Sequence, residues 1–258
     1  MLTFVRELFH YRELIQTLVS RDLKARYRGS SLGWMWTLLN PIIYMAIYTL
    51  VFSIFLRIKM DNYAMFLLCG MVPWIWFSSS ITLGASSIVE GGGLLKKVYF
   101  PPQVLPTVTV LVNLFNFVLT LPLLFILLLA FGVKPGWALL ALPIPILTQL
   151  AFTEGFAFVV SATSVRYRDI PHILGHLLTC WFFLSPIIYP PALVPEPARL
   201  LVALNPMTPY LVSYQNILFD AKLPAAPDLG LTAVLGLVMF AIGVLVFERY
   251  RRVCVEEI

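Results

Sequence analysis

The stretch RDLKARYRGSSLGWMWTLLNP, residues 21–41, marks a boundary between a charged segment and a long apolar segment. Five of its first eight residues are charged, and a Gly-Ser-Ser turn at 29–31 is followed by Trp34 and Trp36. No further charge occurs before Arg57. Cationic side chains favour the anionic cytoplasmic leaflet of a bilayer, and Trp favours the headgroup level. The stretch therefore predicts an amino terminus on the inner side and a first membrane span that runs outward.

The composition of the whole chain indicates the same solvent. Of its 258 residues, 60% are hydrophobic and only 12% are charged. A soluble domain of this length could not keep so much apolar surface away from water. The net charge of +5 could suggest nucleic acid, but the basic residues lie at the ends of apolar runs, which is typical of membrane topology. We expect an all-α integral membrane protein.

Six apolar runs are each close to the roughly 20 residues that cross a bilayer. They predict spans at 32–56, 63–89, 105–131, 139–165, 173–189 and 229–247. The run 200–219 is also uncharged and could be a seventh span, although Asn205-Pro206 and Thr208-Pro209 would break its backbone hydrogen bonding. With six spans, 13 Lys and Arg residues lie inside and 5 outside. A seventh span would weaken this bias, so six spans are preferred.

This topology predicts a single membrane domain without a separate soluble part. Its sections are a cytoplasmic interface helix and junction at 1–31, spans one to five within 32–189, an external re-entrant element at 190–227, span six at 228–248 and a cytoplasmic tail at 249–258.

The first section has the pattern of an amphipathic helix. Apolar residues recur at helical spacing, and polar residues fall on the opposite face. The apolar set is Phe4, Leu8, Tyr11, Ile15 and Leu18, and the polar set is Arg6, His10, Glu13 and Thr17. Such a helix lies in the membrane interface, where it could be a simple anchor or a lever that a cytoplasmic partner moves. The pattern leaves both roles open.

No constellation of catalytic, cofactor-binding or metal-binding residues is recognisable. The three cysteines are scattered, and His172 and His176, one helical turn apart, lack a third ligand. The stretch GGGLLKK has neither the spacing nor the Ser or Thr of a phosphate-binding loop. We therefore expect no catalytic activity in this chain. If ATP drives its function, the ATPase is another polypeptide.

Aromatic residues form one face of the predicted first span. Tyr44, Tyr48, Phe52 and Phe55 follow one another at spacings of four, four and three residues. The face could serve packing or lipid contact. It could also line a passage, because aromatic rings lie against the C–H faces of sugar rings without fixing one register.

Glu154 is the acidic residue placed well inside a predicted span. Facing lipid, its carboxyl group would cost roughly 2.5–3.5 kcal/mol, so we expect it to face protein or water. A structural, hydrogen-bonded carboxyl group is preferred over a proton relay, because a relay needs companions at the same depth.

Four segments of the chain, in order, resemble the permease subunits of ABC-2-type polysaccharide exporters, which include the O-antigen and teichoic acid export permeases. They are SRDLKARYRGSSLGWMWTLLNP at the first junction, LLKKVYFPPQVLP after the second span, SVRYRDIPHI after the fourth, and SPIIYPPALVP with LNPMTPY before the last. The resemblance covers nearly the whole chain.

The resemblance implies a homodimer of this subunit with two copies of an ABC ATP-binding subunit, which would hold ATP and Mg. The implied cargo is a glycan on a polyprenyl diphosphate lipid, carried across a bacterial inner membrane by a multi-pass protein with both termini cytoplasmic. No nucleic acid is implied. The element at 190–227 would shape the outer exit.

The same resemblance assigns roles to particular residues. Coupling to the ATPase would fall to two cytoplasmic loops that contain Lys96, Lys97, Tyr99, Phe100, Arg166, Arg168 and Asp169. The substrate would enter beside Arg26, Arg28, Leu32 and Gly33. We add the hypothesis that the two arginines of this group meet the diphosphate.

Other transport classes and one enzyme class stay open on the sequence. The chain could belong to an ABC-2-type exporter of another lipid or drug. An ion-coupled secondary transporter would need partnered intramembrane charges, and a membrane enzyme of lipid-linked glycan assembly would need a convergent acid or metal cluster. Neither pattern is visible.

Overall fold

The computed structural model describes residues 2–33, 35–51, 60–98 and 100–256, and side chains for all of these except residues 2, 27 and 252–256. Most of these residues are helical and none of them forms a strand, which confirms the predicted all-α class. The helices are α1 Leu2–His10, α2 Arg12–Tyr27, α3 Met35–Tyr48, α4 Tyr63–Glu90, α5 Gly92–Leu95, α6 Val104–Ala130, α7 Pro143–Arg166, α8 Ile170–Leu184, α9 Glu196–Leu204, α10 Thr208–Leu218 and α11 Ala226–Glu256.

Four helices of the described chain are long and apolar enough to cross a membrane: α4, α6, α7 with the short 3-10 turn before it, and α11. They coincide with predicted spans two, three, four and six. The other two predicted spans correspond to the shorter helices α3 and α8, of 14 and 15 residues, and residues 52–56 of the first lie outside the described chain. Helix α8 ends at Leu184 because Ser185 precedes a proline and is extended, with ψ of 145°.

Helix α4 stands at the centre of the bundle. It packs against α3, α6, α7, α8 and α10, and most of its 28 residues are buried. Ring contacts with Trp74 and Phe77 join it to α7 and α8. Helix α4 contributes part of the wall of every cavity described below.

Helices α7 and α11 pack along most of their length through glycine. A Cβ at Gly155 would overlap the backbone of α11 at Met239, and a Cβ at Gly243 would overlap the carbonyl of Gly155. Small residues let two helices approach closely where lipid gives no hydrophobic drive to bring them together. This contact fixes α11 against the rest of the bundle.

The replacement Gly243→Ala is expected to destabilise the bundle by about 1–3 kcal/mol, because the methyl group has no room between two backbones. The unfolding of the purified protein in detergent, followed by temperature or denaturant, measures the loss. Gly230→Ala, on the same helix but with open space around its Cβ, is the control and should unfold with the wild type. Equal stability of the two variants would contradict this packing.

The segment between α8 and α11 folds as two short helices, and it breaks where the sequence predicts. The turn at Asn205–Met207 separates α9 from α10, and the hydrogen bonds of the Asn205 side chain stabilise this turn. The Asn205 amide accepts from the indole Nε1 of Trp181 at 2.7 Å and donates to the Ser185 Oγ at 2.8 Å. Pro209 does not break the chain again, because it lies in the first turn of α10, where its missing N–H has no partner to lose.

Helix α10 is buried among the long helices. Its Tyr210 hydroxyl donates to the carbonyl of Thr232 at 2.7 Å, and its Gln215 Nε2 donates to the carbonyl of Pro186 at 2.8 Å. Eleven residues extend about 16 Å, roughly half the thickness of the hydrocarbon layer. The helix enters the bundle without being long enough to cross it.

The amphipathic segment forms two helices, α1 and α2, whose apolar face packs against protein. Phe4 is 1% exposed and contacts Phe158 of α7 and Phe247 of α11 at ring distances of 5.1 and 5.8 Å. Ile15 and Leu18 pack on the start of α6. The predicted polar face is exposed throughout. Helices α1 and α2 are therefore packed into the helical bundle through their apolar face.

Candidate functional site

A cavity of about 400 Å³ opens between α3, α4 and α8. We call it the aromatic cavity because its wall includes the rings of Tyr44, Tyr48, Trp74, Phe182 and Phe183. The Tyr48 ring lies 5.5 Å from Phe182 and 6.4 Å from Tyr44. Two of the four aromatic residues predicted to line a passage thus line a cavity, while Phe52 and Phe55 lie outside the described residues.

Hydroxyl groups interrupt the rings of the aromatic cavity. Thr82 donates to the carbonyl of Ser78 at 2.9 Å, and Thr179 donates to the carbonyl of Gly175 at 2.8 Å. Each hydroxyl proton is therefore used within its own helix, and the oxygen can still accept a hydrogen bond. Such a wall offers apolar faces and scattered acceptors, and among residues 35–51, 60–98 and 100–256 it contains no charged residue.

A second cavity, of about 330 Å³, lies between α3, α4 and α6. We call it the amide cavity because Asn40, Asn113 and Asn116 contribute to its wall. Arg26 is the one charged residue among its lining residues, and its Nη1 donates to the Asn113 Oδ1 at 3.1 Å. Trp76 and Phe117, stacked with their ring centres 4.9 Å apart, form an apolar side.

A third cavity, of about 340 Å³, lies where α2 crosses the end of α4 and the start of α6. We call it the α2 cleft. Its charged residues are Arg21, Asp22, Arg26 and Glu90, so both signs are present.

The three cavities share wall residues: the amide cavity and the aromatic cavity lie side by side, lined by residues 72–79 and 71–82 of α4, and the α2 cleft lies further along the same helix, at residues 83–90. Arg26 belongs to the α2 cleft and the amide cavity. Asn40, Ile75 and Ser79 belong to the amide cavity and the aromatic cavity. The amide cavity therefore adjoins the α2 cleft at Arg26 and the aromatic cavity at Ser79.

The structure places the other predicted entrance residues near the same point. Arg28 follows the end of α2, and Leu32 and Gly33 belong to the turn that leads to α3. Gly33 has a positive φ of 51°, which a glycine adopts without strain, and its N–H donates to the Ser30 Oγ at 3.2 Å. Ser30 lines the amide cavity, so this turn borders it.

The predicted coupling residues gather at the end of the bundle where α1 and α2 pack. Lys96, Lys97, Arg166, Arg168 and Asp169 are exposed there. Phe100 is instead buried beneath α2, in the cluster that contains Ile15 and Leu18. Tyr99 lies outside the described residues.

One carboxylate connects three elements at that end. The Glu7 Oε2 of α1 accepts from the Gln103 Nε2, just before α6, at 2.7 Å, and from the Arg251 Nη2 of α11 at 2.9 Å. We call this set the Glu7 junction. It ties the interface helices, the loop that contains Lys96 and Lys97, and the last helix together.

Glu154 is buried in the bundle at 8% exposure, as expected for a group that avoids lipid. Its Oε2 has no hydrogen-bond partner among the described residues. The preferred interpretation, a hydrogen-bonded structural carboxyl group, therefore finds no support at that oxygen and stays a prediction for the group as a whole. In the described part of the chain, no group of three or more His, Cys, Asp or Glu side chains is arranged to hold a metal ion.

The amides and hydroxyls at mid-depth were missed by the sequence reasoning. The signal was present on α6, where Thr109, Asn113, Asn116 and Thr120 recur at spacings of four, three and four residues. That is one face of a helix. A polar stripe on an apolar span indicates a face that meets protein or water.

Comparison with known proteins gives a consistent result. The model of a family described as ABC-2 type transporter matches residues 13–219. The O-antigen export system permease protein RfbA of Myxococcus xanthus is 45% identical over 260 residues, which cover 100% of both chains. A protein of the same name from Klebsiella pneumoniae is 27% identical over 93% of this chain and 92% of its own. The polysialic acid transport protein KpsM of Escherichia coli is 21% identical over 91% and 92%.

Proposed function

This chain belongs to the ABC-2 type transporter family, and from that premise we propose that it is the membrane-spanning permease subunit of an ATP-driven polysaccharide exporter. The relative that matches it from end to end at 45% identity is named as an O-antigen export permease. The proposed cargo is an O-antigen-like or teichoic-acid-like glycan on a polyprenyl diphosphate lipid. It would move from the cytoplasmic side across the inner or plasma membrane.

The series of cavities is the observation that supports a glycan as the cargo. The described wall of the aromatic cavity has rings and hydroxyl acceptors and no charged residue, which suits a neutral sugar chain that slides without being held. Lipids or drugs would favour a more uniformly apolar wall. An exporter of another lipid or drug is therefore the weaker candidate. An ion-coupled carrier has still less support, since Glu154 is the one charged residue within the predicted span 139–165.

We propose that the active complex is a homodimer of this subunit with two copies of an ABC ATP-binding subunit. Tyr44, in the wall of the aromatic cavity, is half exposed. Apolar side chains on α3 and α8, such as Ile47 and Leu177, are exposed beside it. A second copy on this face would close two half-cavities into one passage.

The proposed topology has six spans, both ends of the chain in the cytoplasm, and α9 and α10 as a re-entrant element on the outer side. The buried position of α10 and its length of about half a bilayer support this arrangement. Lys96, Lys97, Arg166 and Arg168 would then face the ATP-binding subunits. Nucleotide-dependent movement of those subunits would reach α4 and α6 through the packed helices α1 and α2.

The proposal is tested by reconstitution. The permease and its ATP-binding subunit are placed in liposomes with the lipid-linked glycan, and glycan that reaches the opposite leaflet is measured with an impermeant lectin. Export should require ATP and both subunits, and it should stop with a partner subunit that binds but cannot hydrolyse ATP. Export by the permease alone, or export driven by an ion gradient without ATP, would refute the proposal.

A further inference from the structure

Two buried side chains meet between α6 and α7, and each has an oxygen atom without a hydrogen-bond partner. The Thr107 hydroxyl of α6 lies near enough to the Glu154 carboxyl of α7 to affect it. By distance and angle, however, neither the Thr107 Oγ1 nor the Glu154 Oε2 has a partner within the described chain. Both side chains are less than 10% exposed. Buried polar atoms without partners are uncommon in native proteins, so this pair needs an explanation.

The Thr107 hydroxyl differs from the other two threonine hydroxyls of α6. Thr109 and Thr120 each donate to the carbonyl four residues before them, at 3.2 and 2.9 Å. A helical threonine often uses its proton in this way. Thr107 makes no such bond to any residue that the structure describes, so its proton is available to an acceptor on another helix. The Glu154 carboxyl is an acceptor beside it.

The α7 side of this contact is held in place. Gly155, the residue after Glu154, lies so close to the backbone of Met239 on α11 that a Cβ would overlap it. Phe4 of α1 packs on Phe158 of α7 and also contacts α11. Close backbone contact leaves little freedom for rearrangement. Helices α1, α7 and α11 therefore form one packed unit.

Helix α6 is held to α2 instead. Ile15 and Leu18 of α2 pack on its first turns, and the Arg26 Nη1 donates to the Asn113 Oδ1 at 3.1 Å. The boundary between the two packed units thus runs between α6 and α7, where the unpartnered oxygen atoms lie. Helix α4 contacts both units, so a shift between them is limited to the roughly 1–2 Å that packed helices allow.

The Glu7 junction connects this boundary to the end of the bundle where the coupling residues are exposed. Gln103 and Thr107 are four residues apart, so they lie on the same side of the start of α6. The Gln103 Nε2 donates to the Glu7 Oε2 at 2.7 Å. The Gln103 Oε1 is buried and, over the described ranges, has no partner. A movement of α1 relative to α6 therefore also moves the helical turn that carries Thr107.

We propose that Glu154 and Thr107 form a switching contact of the transport cycle. In the state that the structure shows, the two groups are neighbours without a good hydrogen bond. When α6 shifts against α7, Thr107 donates to the Glu154 carboxyl, and the new bond stabilises the shifted state. Glu154 is thus a positioning residue that determines where α6 comes to rest. This inference rests on the proposed function and adds to it a moving contact inside the bundle.

A purely structural carboxyl group would be expected to have its partners in this state already. An unpaired buried polar group is unfavourable, and a leucine at position 154 would avoid this cost. A group that is unpaired in one state and paired in another accounts for both the burial and the missing partner.

The first test measures export by the complete permease–ATPase complex in proteoliposomes with lipid-linked glycan. Thr107→Val removes the hydroxyl and keeps the shape, and Glu154→Leu removes the acceptor. Each should lower the glycan moved per ATP by about five- to tenfold, because one state loses a buried hydrogen bond. The double variant should export no less than the weaker single variant, since both changes remove the same contact. Glu154→Gln keeps an acceptor and should export within about twofold of the wild type.

The second test separates a switch from a structural contact. The unfolding temperature of the complex is measured without nucleotide, and again with ATP on a partner subunit that cannot hydrolyse it. The difference between wild type and Thr107→Val should depend on the nucleotide, because the bond exists in one state only. Thr163→Val is the control on α7, where the hydroxyl donates within its own helix at 2.7 Å. It should export like the wild type and show no dependence on nucleotide.

The inference is wrong if Thr107→Val exports like the wild type, or if the losses of the two single variants multiply in the double variant. It is also wrong if Thr107→Val changes both unfolding temperatures alike, or if Glu154→Gln exports as poorly as Glu154→Leu. Should Glu154→Leu not assemble, Thr107→Val and Glu154→Gln decide the question. Failure of the proposed function looks different, because the wild-type complex would then move no glycan with ATP.

Discussion

The variant Arg251→Glu is expected to lower glycan export by at least about tenfold, while the complex still assembles and hydrolyses ATP. The substitution places two carboxylates together at the Glu7 junction and leaves Gln103 as their common hydrogen-bond partner. A tenfold effect corresponds to about 1.4 kcal/mol, which is close to the lower end of the about 1.5–3 kcal/mol that a hydrogen bond to a charged group contributes. The measurements are ATP hydrolysis and export in the same proteoliposomes, reported as glycan moved per ATP.

The matched test is the exchange of the two charges. The double variant Glu7→Arg with Arg251→Glu restores the ion pair with the two charges exchanged between the helices. The Gln103 Oε1, which is buried without a partner among the described residues, can then accept from the arginine. If loss of the ion pair is the main cause of the defect in Arg251→Glu, the double variant should recover at least about half of the wild-type ratio of glycan moved per ATP.

Glu13→Arg is the control for a charge change on the interface helices. Glu13 lies on the exposed face of α2, and an isolated surface charge contributes little to stability. This variant should export within about twofold of the wild type. If the exchanged pair stays as inactive as Arg251→Glu, or if no single change alters the ratio, the Glu7 junction does not transmit movement.

The variant Ser79→Trp is expected to block export by more than about tenfold without stopping ATP hydrolysis. Ser79 lines both the amide cavity and the aromatic cavity, so an indole at this point fills the place where they meet. We expect the loss to come from blocked passage of the chain, since Ser79 lies 11 residues before the end of α4 at Glu90, the end proposed to face the ATP-binding subunits. Export per ATP measures the effect.

Ser86→Trp is the matched control for this change. It lies seven residues later on α4, two helical turns from Ser79, and lines none of the three cavities. Its export should stay within about twofold of the wild type, as for a partly exposed position without a special role. Equal inhibition by both tryptophans would mean that the cavities are not the route. Unimpeded export by Ser79→Trp would mean the same.

Residue patterns predicted the long helices well and their ends less well. Spans two and three were predicted within a residue or two of α4 and α6, because each is a long apolar run between charged or glycine-rich segments. The fifth span was predicted too long, because hydropathy does not register the backbone restriction that Pro186 imposes on Ser185.

The same limit applies to the candidate site. The pattern predicted Tyr44 and Tyr48 as one face, and the family resemblance implied that Arg26 is an entrance residue. It did not bring Arg26 to Asn113, since 87 residues separate them. Phe100 looked like a surface residue of a basic loop, and only the packing of α2 shows that it is buried.

The sequence by itself determined the solvent, the class and the approximate spans, because these depend on local hydropathy, on charge at helix ends and on motifs that are read along the chain. The tertiary structure alone decided which polar residues share a cavity, that α1 and α2 are packed into the bundle, and that Glu7 joins Gln103 to Arg251. Those contacts join residues up to 244 positions apart. They depend on how closely the helices pack. Glycines such as Gly243 set this distance, and no local sequence pattern encodes it.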